Sequence, residues 1–323
     1  MGSRDQFDSG RGISRRTLLR TGVAAGMGVA FGRPLLAAKA EDLPLIRRAI
    51  PSTREMLPAV GVGTNNFAAA SPEERAARRA VLERLPQIGG SVVDTAAIYG
   101  RSEEVIGQDT AELHLRDHLF ISTKVMAQGG NAAQGKAQIE DSFRKLQVRK
   151  IDLLHVHNLA STDAMIPVLQ QLKHDGRVRY IGMTTSFVGQ HAEMLAAMKK
   201  YPVDFIQIDY SLGNRDAAQD ILPLAQDKGI AVMLNVPFGG RRGGANMLPK
   251  VAGKPLPDWA KDIDATSWGQ IFLKYVIAHP AVTVAIPGTT QVNHLEDNML
   301  GARGRLPDAA MRKRMEQFWD AMA

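Results

Sequence analysis

From residue 45 onward, short apolar runs alternate with amphipathic stretches of 12 to 18 residues, and this alternation is the strongest constraint on the fold. It predicts buried parallel strands, each followed by a helix. Leu45 to Ile50 and Glu55 to Val60, separated by Pro51-Ser52-Thr53-Arg54, predict an opening hairpin. The buried-strand candidates are the run at Val60 to Thr64, Ser91 to Thr95, Leu119 to Lys124, Leu153 to His157, Tyr180 to Thr184, Phe205 to Asp209, Ala231 to Val236 and Val282 to Pro287. Helical stretches separate or follow them at 72–86, 102–113, 131–147, 162–175, 190–200, 215–228, 266–279 and 291–300. At Ser71-Pro72-Glu73-Glu74, Ser can cap, Pro suits the first turn, and the acids favour the positive end of the helix dipole. Eight strands with eight helices close into a (β/α)8 barrel. A doubly wound open sheet would place GxGxxG after its first strand, where this chain has Gly61-Val62-Gly63-Thr64-Asn65-Asn66.

The first 40 residues are different in kind. Ser14-Arg15-Arg16-Thr17-Leu18-Leu19, a weakly apolar Thr21 to Phe31 and Ala38-Lys39-Ala40 resemble a twin-arginine export signal. The expected division is a signal peptide over 1–40 and one barrel domain over 41–323, with cleavage before Glu41 and a periplasmic destination. The apolar stretch is too short to span the bilayer. This leader also accounts for much of the basic charge. The chain is +7 overall, but seven basic and two acidic residues fall in 1–40, leaving 33 basic and 31 acidic residues without a basic run. Nucleic-acid binding is therefore not expected. Zero cysteines exclude disulfides, thiolate metal sites and a cysteine nucleophile.

Barrel enzymes carry their chemistry at strand C-terminal ends. Val92-Val93-Asp94-Thr95 ends in a carboxylate with Tyr99-Gly100 on the following loop; Phe120-Ile121-Ser122-Thr123-Lys124 ends in an amine; Leu153-Leu154-His155-Val156-His157-Asn158 ends in imidazole. A phenol, with an ordinary pKa near 10, is a poor acid at neutral pH, and a neighbouring ammonium stabilises the phenolate it leaves. Lys124 is thus expected to assist Tyr99 as general acid, with Asp94 orienting Lys124. His157 is expected to hydrogen-bond the substrate oxygen or steer the proton.

With those residues in place, the chain resembles the aldo-keto reductase family over nearly everything after residue 45. Leu57-Pro58-Ala59-Val60-Gly61-Val62-Gly63-Thr64, Asp94-Thr95-Ala96-Ala97-Ile98-Tyr99-Gly100, Ser122-Thr123-Lys124, Asp152 to His157, Ile181-Gly182 and Ile286-Pro287-Gly288-Thr289 look like family signatures in family order. The resemblance implies a catalytic tetrad of Asp94, Tyr99, Lys124 and His157, reducing a small aldehyde or ketone, or running in reverse, with NADP(H) ahead of NAD(H). It places Gly63 and Thr64 near the ribose, Thr184, Thr185 and Gln207 at the carboxamide, and Thr289, Asp297 and Asn298 around the adenosine end. Asn65, Asp94, Asn235, Pro237, Gly239, Arg241, Pro287, Gly288 and His294 complete the implied cofactor set. The chain departs from the family at several points. Thr184-Thr185 stands where Ser-Asn is common, Asn235 stands where an aromatic stacks on the nicotinamide, and Gly288 and His294 stand where Lys and Arg hold a 2′-phosphate. Arg241 and Arg242 lie in a Gly-rich loop that the resemblance folds over the pyrophosphate. Asn65, Asn66 and Phe67 are expected to form one wall of the substrate pocket, and Trp319 of the C-terminal tail to reach it.

Two rival readings remain. His155 and His157 share a strand face and would suit zinc in a barrel hydrolase, given a third ligand on another strand. A barrel that holds cofactor as a redox sensor, without catalysis, is the other.

Overall fold

The computed structural model describes residues 40–240 and 245–322. The twin-arginine segment and Arg241-Arg242 lie outside the described residues. Among the described residues ten strands run in chain order: β1 (Arg47–Ala49), β2 (Met56–Pro58), β3 (Val62–Gly63), β4 (Val92–Asp94), β5 (Phe120–Val125), β6 (Ile151–Val156), β7 (Val178–Thr184), β8 (Phe205–Asp209), β9 (Ala231–Asn235) and β10 (Val282–Ala285). The first two pair antiparallel as the expected hairpin. The other eight form one parallel sheet in sequential order. Its two ends meet: Gly61 N donates to Ala285 O at 2.9 Å, and Gly63 N donates to Pro287 O at 3.0 Å. The sheet is a closed (β/α)8 barrel. Gly63 is needed at this seam, because a Cβ there would lie 2.8 Å from Ile286 O.

The helices are α1 (Pro72–Gln87), α2 (Ser102–Glu112), α3 (Ala132–Leu146), α4 (Thr162–His174), α5 (His191–Lys200), α6 (Ile221–Asp227), α7 (Leu248–Val251), α8 (Trp268–Ile277), α9 (Val292–Leu300) and α10 (Ala309–Ala321). Ser71, Asn131 and Ser267 cap α1, α3 and α8 by accepting the amides of Glu74, Gln134 and Gln270. The stretch expected as one helix over 215–228 is instead a 3-10 turn at Asp216–Ala218 followed by α6. Pro223 fits the late start, since proline is favoured in a helix's first turn, which it occupies in α6. Helices α7 and α10 were not anticipated. In α10, Met315 and Trp319 are buried, and Trp319 packs edge-on to Phe272 at 5.5 Å. Trp319 is therefore a core residue and not a wall of the pocket.

Strand alternation sorts the side chains into two cores. Outward residues such as Val93, Ile121, Leu154, Val156, Ile181 and Ile206 pack under the helices. Inward residues Val92, Phe120, Leu153, Tyr180, Phe205, Ala231 and Val284 fill the lower barrel, with Ile50 and Leu57 of the hairpin region joining that cluster. An ionic girdle ties the same end together. Asp152 accepts from Arg116 at 2.9 Å and from Arg179 at 2.8 Å, and Glu55 accepts from Arg179 and from Tyr180. The apolar packing and the girdle occupy the lower end, so the upper mouth remains for chemistry.

Candidate active site

Above the apolar layers the inward residues turn polar. Asp94, Ser122, Lys124, His155, Thr184 and Gln207 are all buried on adjoining strands. Lys124 Nζ donates to Asp94 Oδ2 at 2.6 Å and to Thr95 O at 2.7 Å. Burial alone would push this ammonium down, but the Asp94 carboxylate and the Tyr99 oxygen outweigh it and hold Lys124 above its ordinary value. It is cationic throughout the neutral range.

Asp94 is held from several sides. Its Oδ1 accepts from Ser122 Oγ at 2.8 Å and from Gln207 Nε2 at 3.1 Å, while Gln207 Oε1 accepts from Thr184 Oγ1 at 2.8 Å. Lys124, Ser122 and Gln207 thus bring three side-chain donors to one buried carboxylate. Sequence reading missed this brace. Period-two alternation does place Ser122 on the face of Lys124, but nothing in the sequence joins Gln207 to Asp94 across 113 residues.

Tyr99 sits on the loop after β4, half-buried, with Lys124 Nζ 5.2 Å from its ring centroid. The buried ring of His157 approaches its edge, centroids 5.9 Å apart at 84°. The four residues expected from the sequence thus converge at one mouth. Backbone conformation helps to place them. Asn158 and Leu159, next after His157, have φ of 53° and 55°, and Gln190 Nε2 donates to Asn158 O at 3.2 Å. At the end of β9, Val236 has a φ of 42°, a costly conformation for a β-branched residue that is commonly found at functional sites.

His155 lies one layer below His157, fully buried, with Nδ1 3.4 Å from Ser122 Oγ. Burial first, then the charge of Lys124 and the neighbouring His157, hold it well below the ordinary imidazole range, so it is neutral. Gly182 makes room for the ring, since a Cβ there would stand 2.4 Å from His155 Cδ2. The zinc reading needs a third ligand. Among the described residues, no group of three His, Cys, Asp or Glu side chains is arranged to hold a metal.

The other expected residues are distributed around the mouth. Thr64 is buried, its hydroxyl donating to Asp94 O at 2.8 Å, while Asn65 is exposed. Thr185 Oγ1 donates to Gln190 at 2.6 Å. Asn235 Nδ2 donates to Thr185 O at 3.0 Å, and Asn235 Oδ1 is buried without a partner. Pro237 and Pro287 are buried, Gly239 turns with a φ of 69°, and Gly288 is exposed. Thr289 accepts from Gln291 N at 3.1 Å just before α9, whose first turn has no side-chain cap and carries the exposed His294. Asp297 turns to α8, accepting from Ser267 at 2.8 Å and Gln270 at 2.7 Å, and Asn298 is buried.

Comparison with known proteins agrees with this architecture. The family model described as "Aldo/keto reductase family" matches residues 59–316. An uncharacterized oxidoreductase of Schizosaccharomyces pombe is 29% identical over 267 residues, 76% of this chain and 80% of the relative. An aldo-keto reductase of Strobilurus tenacellus is 25% identical over 318 residues, covering 85% and 93% of the two chains. Among solved structures, an aldo/keto reductase from Klebsiella pneumoniae in complex with NADP and acetate superposes with a TM-score of 0.65 at 25% identity, over 82% of this chain and 93% of that one. The holo form of an aldo-keto reductase from Bacillus halodurans gives 0.69 at 20% identity, over 85% and 96%. With the family model spanning most of the sequence, this chain belongs to the aldo/keto reductase family.

Proposed function

We propose that this protein is an NAD(P)H-dependent oxidoreductase that reduces a small aldehyde or ketone, or runs the reverse reaction, with Tyr99 as the general acid. The observation that carries the reading is the buried Lys124–Asp94 pair at 2.6 Å, with its ammonium 5.2 Å from the Tyr99 ring centroid. The mouth suits a nicotinamide cofactor. Asn235 Oδ1 is a buried acceptor without a partner, suited to a carboxamide N–H, and the uncapped start of α9 presents backbone amides to a phosphate. Bound there, the nicotinamide would supply the hydride to the carbonyl carbon. NADP is preferred to NAD on the strength of the Klebsiella relative's NADP complex.

The residues then divide the proton work. Tyr99 donates its hydroxyl proton to the carbonyl oxygen as charge develops there. Lys124 stabilises the phenolate left behind, Asp94 fixes the ammonium, and His157 hydrogen-bonds the oxygen and orients it toward Tyr99. Tyr99→Phe should retain NADPH binding, measured by fluorescence titration, and lose carbonyl reduction by about 100-fold or more, the contribution typical of a general acid. Unchanged turnover would remove Tyr99 from this role, whereas NADPH binding without carbonyl turnover in the unsubstituted protein would favour the sensor reading.

Residues 1–40 are proposed to direct twin-arginine export to the periplasm before cleavage. Because that pathway carries folded proteins, the exported form would retain its nucleotide. A reporter fused to residues 1–45 that stays cytoplasmic would end the export proposal, and purified periplasmic protein without nucleotide would end the cargo proposal.

A further inference from the structure

The substrate half of the mouth is built without unbalanced charge. It is formed by the loops after β3, β4, β5 and β6, residues 64–71, 95–101, 126–131 and 157–161, which surround Tyr99 and His157. Apart from His157, their only ionisable cation is Arg101, and they contain no Asp or Glu. Arg101, largely exposed, is paired with Glu104 through two bonds at 2.9 and 3.1 Å. Lys124 is balanced by Asp94. Arg78 of α1 reaches the β3 loop, donating to Asn66 O at 3.3 Å, and is paired with Glu74 at 3.8 Å; Arg215 follows β8, opposite β4 in the eight-strand order, and Lys250 and Lys254 follow β9. Arg215 is paired with Asp320 at 2.8 Å.

These loops are joined into one rim. Ser161 Oγ donates to Ala127 O at 2.8 Å and accepts from Gly130 N at 2.9 Å, linking the β5 and β6 loops. Ser102 Oγ donates to Thr64 O at 3.0 Å, and a Cβ on Gly100 would lie 3.2 Å from Ala68 Cβ, which brings the β3 and β4 loops together. The rim offers amides at Asn65, Asn66 and Gln128, together with apolar surface. Ile98, beside Tyr99, is 49% exposed, although large apolar side chains are usually covered. Val188, on the adjoining β7 loop, is 36% exposed.

We infer that the carbonyl substrate is an uncharged molecule with an apolar body, held by Ile98 and neutral amides, and that carbonyl compounds bearing a carboxylate or phosphate are discriminated against. An anion entering this half would give up water without meeting a free cation, and it would approach the phosphates of a bound dinucleotide. The inference rests on the carbonyl-reduction reading and deepens it.

The test uses matched substrates with NADPH: methyl 4-formylbenzoate against 4-formylbenzoate, and butanal against succinic semialdehyde. The expected result is a kcat/KM at least 30-fold higher for the uncharged member of each pair, with Asn66→Arg or Gln128→Arg narrowing the ratio at least 5-fold by supplying the missing cation. Carboxylates turned over as well as or better than their neutral partners would overturn the inference while leaving carbonyl reduction intact. No turnover of any of the four would overturn the reading beneath it, and the inference with it.

Discussion

Replacing Lys124 by Met tests whether the tetrad is also a buried structural pair. Asp94 and Lys124 are 3% and 1% exposed, and their contact is 2.6 Å. Removing the ammonium leaves Asp94 Oδ2 as an uncompensated buried charge, for which the expected cost is about 3–5 kcal/mol. Ser122 and Gln207 still donate to Oδ1, which favours the lower half of that range. In the Lys124→Met, Asp94→Asn double variant no net charge remains buried, so most of the loss should return, to within about 1–2 kcal/mol of wild type. Urea denaturation followed by circular dichroism measures this directly. With an m-value of about 3 kcal/mol/M, the single variant should shift its midpoint down by about 1 M and the double by about 0.3–0.7 M. Carbonyl reduction should be lost in both variants, which separates stability from chemistry. A single variant as stable as wild type would refute the reasoning, because the pair would then be solvated and unable to hold a cation beside Tyr99.

Two further outcomes follow from individual contacts. Gly182→Ala should destabilise by about 1–3 kcal/mol through overpacking, since the new Cβ meets His155 Cδ2 at 2.4 Å and Phe205 O at 2.7 Å. Adding His155→Ala should restore only part of the loss, because the carbonyl contact remains; full restoration in the double variant would show that the imidazole alone sets the limit. His279 is lowered to about 4, by burial first and by Arg312 second, and its Nδ1 accepts from Ala281 N. Its folded value lies below its unfolded value, so the unfolded chain takes up the proton first as pH falls. The stability present above about pH 6.5 is therefore lost between there and about pH 4. For a partly exposed ring this amounts to about 1–2 kcal/mol after screening. His279→Asn, which keeps an acceptor for Ala281 N, should flatten denaturation midpoints across that window; an unchanged slope would refute the assignment.

The barrel was legible because its signal is local and repeated. Strands buried on both faces read as apolar runs, helices as amphipathic stretches, and eight alternations leave few topologies. The cluster of Asp94, Tyr99, Lys124 and His157 was legible for a related reason: strand ends face the mouth, so Asp94, Lys124 and His157 could be assigned to it before any distance was known. Misplaced elements were those whose local signal permits two outcomes. The stretch 215–228 carries helix-forming residues, yet Pro223 and packing start the helix at Ile221. Trp319 could cover either the pocket or the core, and its contact with Phe272 places it in the core.

The sequence by itself determined the repeat, the inward or outward face of each strand residue and the residues available at the mouth, because these follow from backbone geometry over a few positions. Tertiary structure alone decided the partners. Gln207 and Ser122 grip Asp94, Gly182 opens space for a neutral His155, Asp297 turns away to α8, and Arg101 is spent on Glu104. Apart from the last, these contacts join residues far apart in the chain. A buried polar group must find its hydrogen bonds among whatever side chains the closed barrel brings within about 3 Å, and no local pattern encodes that choice.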